Sequence, residues 1–309
     1  MTVFISTLNQ TAFLFLLIAI GFLLAKLGVL PDTAAKTLAR LENFVFVPCL
    51  ILGTFLEHFN AERLSQYATL LLISCAINLV VVPLAIVAAR LLTKEKYERN
   101  IFTYGLVFSN FGFMGNAVVS ALFPEIFLDY LIFTLPLWFL IYLWGVPSLL
   151  ISDADEKQTV GTRLKALINP MFIAMLVGMA LGLLRVPMPS FVGTAITSLG
   201  NCMSPVAMLL TGVTVSAISF RKTFTNGKIF GVSLVRLVVL PLLFWLCAKA
   251  IPLGEVAYIC AVCSLAMPLG LNTIVIPSAY GKDTTVASGM AIVSHLLACV
   301  TIPLMFMIM

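Results

Sequence analysis

The sequence predicts an all-α membrane protein with ten transmembrane helices in two inverted five-helix repeats, helices 4 and 9 being broken in mid-membrane. Three observations predict it: the apolar content, the alternation of basic residues between connections, and a repeat at a fixed offset. Apolar residues make up 61% of the 309 and charged residues 10%, and the mean hydropathy is +1.11. Soluble domains carry about 25% charged residues, so this balance excludes a water-soluble fold.

A span needs about 20 apolar residues at 1.5 Å rise each. On that rule the spans run over 7–27, 38–56, 66–92, 101–123, 127–151, 167–186, 191–219, 228–250, 256–280 and 286–308. The first is expected to remain as a helix. Met1 to Gln10 holds no Lys or Arg, and the apolar run ends at Lys26-Leu27-Gly28 without a small-residue cleavage pattern.

The connections after spans 1, 3, 5, 7 and 9 hold Lys26, Lys36, Arg40; Arg90, Lys94, Lys96, Arg99; Lys157, Arg163, Lys165; Arg221, Lys222, Lys228; and Lys282, which is 14 of the 18 basic residues. Arg63, Arg185 and Lys249 fall on the opposite side. Basic residues stay cytoplasmic, so both termini are expected on the non-cytoplasmic side of the cell membrane. The net charge of +5 then reflects topology and headgroup contact, not nucleic acid.

Asn78-Leu79-Val80-Val81-Val82-Pro83-Leu84 in span 3 matches Arg236-Leu237-Val238-Val239-Leu240-Pro241-Leu242 in span 8, an offset of 158 residues. The same offset sets Gly112 on Gly270 and Asn110 beside Pro268. Spans 2 and 7 correspond through Leu41-Glu42-Asn43 with Pro48, against Leu199-Gly200-Asn201 with Pro205. The chain reads as residues 1–151, a cytoplasmic connection 152–165, and residues 166–309. Because five is odd, the second unit inserts upside-down. Inverted repeats of this kind place a transporter's substrate site near the midplane, where discontinuous helices meet.

Two such discontinuities are legible. Ser109-Asn110-Phe111-Gly112-Phe113-Met114-Gly115-Asn116 and Ala266-Met267-Pro268-Leu269-Gly270-Leu271-Asn272-Thr273 put helix breakers inside apolar segments. Amides freed there carry a positive dipole end and bind anions. Ser109, Asn110, Gly112, Asn116, Pro268, Gly270, Asn272 and Thr273 are therefore candidate substrate residues, with Asn78 outside the breaks. The asparagines also read as caps of broken helix ends.

Arg236 lies deep in span 8, and two readings stand: its planar fork holds a substrate carboxylate, or it ties down carbonyls freed at a broken helix. His295, some ten residues into span 10, is a proton-coupling candidate because imidazole titrates near neutral pH, or else a hydrogen-bonded structural residue. Glu42, Glu57, His58 and Glu255 read as interfacial, and spans 3–5 and 8–10 as lacking a deep carboxylate. Asp153, Asp155 and Glu156 belong to a solvated loop.

Enzymatic signals are missing. There is no His-x-x-x-His, no Gly-rich loop ending in Lys-Ser/Thr and no Cys/His cluster, so no metal or cofactor is expected. All seven cysteines fall in spans, and Cys260-Ala261-Val262-Cys263 lacks the βαβ context of a redox motif.

Asn43-Phe44-Val45-Phe46-Val47-Pro48, Ser109-Asn110 with Gly112 and Gly115, and the Pro268, Gly270, Asn272 group followed by Tyr280-Gly281-Lys282-Asp283 together resemble the auxin efflux carrier family, whose bacterial members include proposed malate and malonate permeases. The resemblance covers essentially the whole chain. It implies a fold similar to bile-acid and sodium/proton transporters: spans 4 and 9 crossing at their breaks, spans 1, 2, 6 and 7 as a scaffold, and a homodimer formed through it. Relatives often place Pro after the span-4 glycine, where this chain reads Gly115-Asn116, so glycines alone are expected to hold that break. The long loop of many plant carriers is missing, which disfavours auxin as substrate.

The expected function is secondary transport of small organic anions such as malate or malonate by an elevator-type motion, with a proton or sodium as possible coupling ion. A cation-coupled exchanger on the same scaffold and a non-transporting membrane sensor are the alternatives.

Overall fold

The computed structural model describes residues 2–151, 159–216, 226–251 and 253–308. Its helices are α1 Thr2–Lys26, α2 Ala34–His58, α3 Leu64–Leu92, α4 Lys96–Val107, α5 Phe111–Leu122 and α6 Pro124–Leu150. After them come α7 Val160–Leu167, α8 Pro170–Leu183, α9 Ser190–Ser216 and α10 Gly227–Ala248. The chain closes with α11 Glu255–Leu265, α12 Asn272–Ala279 and α13 Thr285–Ile308.

Among the described residues, seven helices are long and apolar enough to cross a membrane: those at 8–26, 34–58, 61–92, 124–150, 190–216, 227–248 and 285–307. The stretches expected as spans 4 and 9 are each split into two short helices, α4 with α5 and α11 with α12. The stretch expected as span 6 holds the 14-residue α8. The connection 152–165 is not loop throughout, since α7 begins at Val160. Asp153, Asp155, Glu156, Lys157, Arg221 and Lys222 lie outside the described residues.

Proline shapes several spans. A proline removes one amide and crowds the carbonyl four residues back, and a locally widened turn relieves that crowding. α2 widens to a π-turn over Glu42–Phe46 just before Pro48, and α10 does so over Val235–Val239 before Pro241. α9 is interrupted at Cys202, ahead of Pro205.

α1 packs along the second half of α9, and α2 packs on α8 and on the first half of α9. Small residues let these backbones approach, the usual device where lipid supplies no hydrophobic drive. A Cβ at Gly212 would collide with the Ile18 carbonyl, and one at Gly178 would stand 2.8 Å from the Phe55 Cβ. α3 packs on α4 and α6, and α10 on α13.

Two carboxylates depart from expectation. Glu42, expected at an interface, is 0% exposed; α2 begins at Ala34, a turn before the apolar run suggested, and draws it inside. Asp129, at the start of α6 and not at the crossing, was not among the expected buried carboxylates. It is 0% exposed and pairs with Arg63 Nη2 at 3.1 Å. Gln66 Nε2 donates to its other oxygen at 3.0 Å, so the pair ties the start of α3 to the start of α6.

The two breaks meet. Ser109 and Leu269 form an antiparallel main-chain bridge, in which the Asn110 amide donates to the Pro268 carbonyl at 2.7 Å and the Gly270 amide to Phe108 at 3.3 Å. Gly270 suits this approach because a Cβ there would sit 3.1 Å from the Phe108 carbonyl oxygen. The first break is not held by glycines alone: the Tyr130 hydroxyl also donates to the Phe111 carbonyl at 3.1 Å.

Arg236 of α10, 1% exposed, closes the crossing. Its Nη1 donates to the Leu106 carbonyl at 2.8 Å, Nη2 to Ser264 at 2.8 Å and Nε to Met267 at 3.2 Å. One guanidinium thereby satisfies carbonyls at the C-terminal ends of both α4 and α11, where the helix dipoles favour a cation.

Two expectations follow for stability. Gly212→Ala forces a backbone clash and is expected to destabilise by about 1–3 kcal/mol. Gly193→Ala has open space around the new Cβ and is expected to stabilise by about 0.5–1 kcal/mol. Thermal melting in detergent orders the two variants around the wild type. Arg236→Lys cannot span three carbonyls from one ammonium. It is expected to lower the melting temperature markedly even without ligand, and a wild-type melt would show that the crossing does not need the fork.

Candidate functional site

The crossing borders a cavity of about 290 Å³. Its floor is the start of α5 (Phe111, Gly112, Phe113), with Ser109 and Asn110 from the break before it. Gly270, Leu271 and Asn272 bring the start of α12 alongside. The first amides of a helix have no acceptor within it, so two positive helix ends open on one space. Trp138 and Tyr142 of α6 and Tyr104 of α4 form an aromatic wall. No charged side chain lines it among the described residues.

Asn110 is placed by α13. His295 Nδ1 faces the Ala291 carbonyl at 2.7 Å, and a carbonyl can only accept, so Nδ1 carries the proton. His295 Nε2 then accepts from Asn110 Nδ2 at 3.2 Å. The imidazole is neutral in this arrangement and lies behind Asn110, outside the lining of the cavity. One residue earlier on α13, Ser294 Oγ accepts from the Leu269 amide at 3.2 Å. Adjacent residues of one helix thus support both breaks.

Ser109 Oγ donates to the Ser264 carbonyl at 2.8 Å, which spends its proton on the crossing while it borders the cavity. Asn272 Nδ2 stands 3.4 Å from the Tyr104 hydroxyl, a long bond that leaves the amide largely available. Thr273 Oγ1 donates to the Gly270 carbonyl at 2.8 Å and caps the first turn of α12 without reaching the cavity. Pro268 contributes its carbonyl to the bridge. Asn116 is buried on α5, away from the lining.

Arg236 and Asn78 also stand apart from this space. They flank a void of only about 10 Å³ on the far side of the crossing. Asn78 Nδ2 donates to the Ser74 carbonyl at 2.9 Å, and the arginine fork is occupied by three carbonyls. Of the two sequence readings for Arg236, the geometry matches the one in which it ties down freed carbonyls.

Asn43 of α2 and Asn169, just ahead of α8, complete the polar lining and were not among the candidates. Asn43 sits in the Asn-Phe-Val-Phe-Val-Pro segment and repeats as Asn201 at the 158-residue offset, which was a usable signal. Asn169 precedes Pro170 and accepts from the Phe172 amide at 3.1 Å. From sequence it reads only as a helix cap.

Comparison with known proteins agrees with this architecture. A protein of Schizosaccharomyces pombe named an uncharacterized transporter is 29% identical over 102 residues, which make up 33% of this chain and 23% of that protein. A family model described as membrane transport protein matches residues 6–306. With apolar helices suited to crossing a bilayer several times and a match over nearly its full length, the chain belongs to the membrane transport protein family, the auxin efflux carrier family that its motifs resemble.

Proposed function

We propose that this protein is a secondary carrier of small organic carboxylates, of the size of malate or malonate, that binds them at the crossing of its two broken helices. The observation that carries the proposal is the convergence of two helix N-termini and the amide side chains of Asn43, Asn110 and Asn272 on one uncharged cavity. Helix N-termini stabilise negative charge, and asparagine amides donate hydrogen bonds to carboxylate oxygens. Among the described residues, no lining side chain carries a charge that repels an anion or neutralises a cation.

An elevator-type alternation fits the packing. α1, α2, α8 and α9 pack on one another, and the crossing is held by α10 and α13. The cavity lies where the two groups meet, with Asn43 and Asn169 from the first and Asn110 and Asn272 from the second. A second cavity of about 260 Å³ lies between α2, α9 and the α5–α6 turn, and Asn201 lines it. Asn43 and Asn201 are repeat equivalents, so the two cavities are read as the openings of one pathway on opposite sides. Ten crossings, both termini outside, and a homodimer through the α1, α2, α8, α9 group complete this reading.

The test is binding and uptake of labelled malate or malonate by purified protein in liposomes. Asn43→Ala and Asn272→Ala each remove a hydrogen bond to a charged group, worth about 1.5–3 kcal/mol. Each is expected to weaken binding at least about tenfold, a factor that takes about 1.4 kcal/mol. Asn78→Ser, behind the crossing, is expected to bind as the wild type does. Equal binding by all four proteins would move the substrate site elsewhere.

A further inference from the structure

We propose that Glu42 is a proton-binding site coupled to transport, a carboxyl group sealed between α2, α8 and α9 that carries one proton through the cycle. The coupling rests on the carrier reading above; the site itself does not.

The side chain is 0% exposed, and neither carboxyl oxygen has a hydrogen-bond partner among the described residues. The segment 42–46 packs against α8 and both halves of α9. Residues 170–183, 190–201 and 203–216 of those helices contain no Asp, Glu, Lys, Arg or His, and the only titratable group between them is the Cys202 thiol. On α2 itself Lys36, Arg40, Glu57 and His58 are exposed, and Cys49 lies two turns on. No described neighbour therefore supplies a counter-charge. A carboxylate ion without a partner cannot be kept in such surroundings, whereas a bound proton makes the group neutral.

Two further features connect this group to the pathway. Glu42 opens the π-turn Glu42–Phe46, and the next residue, Asn43, lines the substrate cavity. Pro48 has no amide to offer the Phe44 carbonyl four residues back, so the helical ladder is weakened within the same π-turn that the acid opens. π-Turns within α-helices recur at functional positions for this reason. The repeat supplies no second acid, because the residue equivalent to Glu42 is Gly200. Displacement of the crossing against α2 would open Glu42 to one side, where it releases its proton, and close it again when loaded.

Two measurements test this. In infrared spectra of the purified protein, the carbonyl stretch of a protonated, weakly bonded carboxylic acid is expected, lost at alkaline pH and absent from Glu42→Gln. No such band, or one that survives the substitution, overturns the site. In liposomes with the voltage clamped at zero, an imposed gradient of about one pH unit is expected to accumulate labelled malonate about tenfold in the wild type, since one pH unit and a tenfold concentration ratio carry equal free energy. Glu42→Gln is expected to reach a ratio near one. Accumulation by Glu42→Gln equal to wild type, or accumulation driven by sodium with no response to pH, overturns the coupling. Wild-type protein that moves no malonate in any mode refutes the carrier reading instead, and the infrared band then decides the site alone.

Discussion

Lipid offers no hydrogen bonds, so every main-chain amide and carbonyl released by a broken helix must be met by the protein itself. This requirement governs the centre of the molecule. Each break answers the other: residues 108–110 and 268–270 exchange main-chain bonds around the Ser109–Leu269 antiparallel bridge. Side chains from three different helices meet further demands, Tyr130 and Ser294 one each and Arg236 three. Neither break could persist without the other, because each supplies acceptors that the other requires.

The side chains at the crossing also sort charge. Arg236 sits at the carboxyl ends of α4 and α11, where unsatisfied carbonyls concentrate negative potential. Burying an arginine at mid-membrane costs about 2.5–3.5 kcal/mol on insertion scales. Three hydrogen bonds from a charged donor, at about 1.5–3 kcal/mol each, offset it. With the negative ends occupied, the amino ends of α5 and α12 are left to face the cavity. The positive field on the cavity side is thus built from main-chain dipoles, and Arg236 stays behind the crossing without lining the cavity.

Much of this was legible in the chain. Both breaks, with the asparagines at 110 and 272 beside them, were read from glycine and proline placement, because those residues act through local backbone rules. What was not legible depends on which faces pack together. Glu42 lay close enough to the edge of an apolar run to read as interfacial, yet the helix starts at Ala34 and turns the residue inward against α8 and α9. Asp129 stood at the start of a span, where its burial follows from Arg63 and Gln66 arriving from a different helix. Arg236 supported two readings because a guanidinium donates to both carbonyl and carboxylate oxygens. The Leu106, Ser264 and Met267 carbonyls that occupy the fork come together only in the fold.

One arginine is enough at the crossing. Asn78 and Arg236 are equivalent by the 158-residue offset, and they border the same void of about 10 Å³. An arginine at both positions would bring two guanidinium groups together beside one small void. Like charges so placed repel strongly in a low-dielectric interior. One fork already reaches the carboxyl ends of both broken helices, so position 78 is free to be neutral.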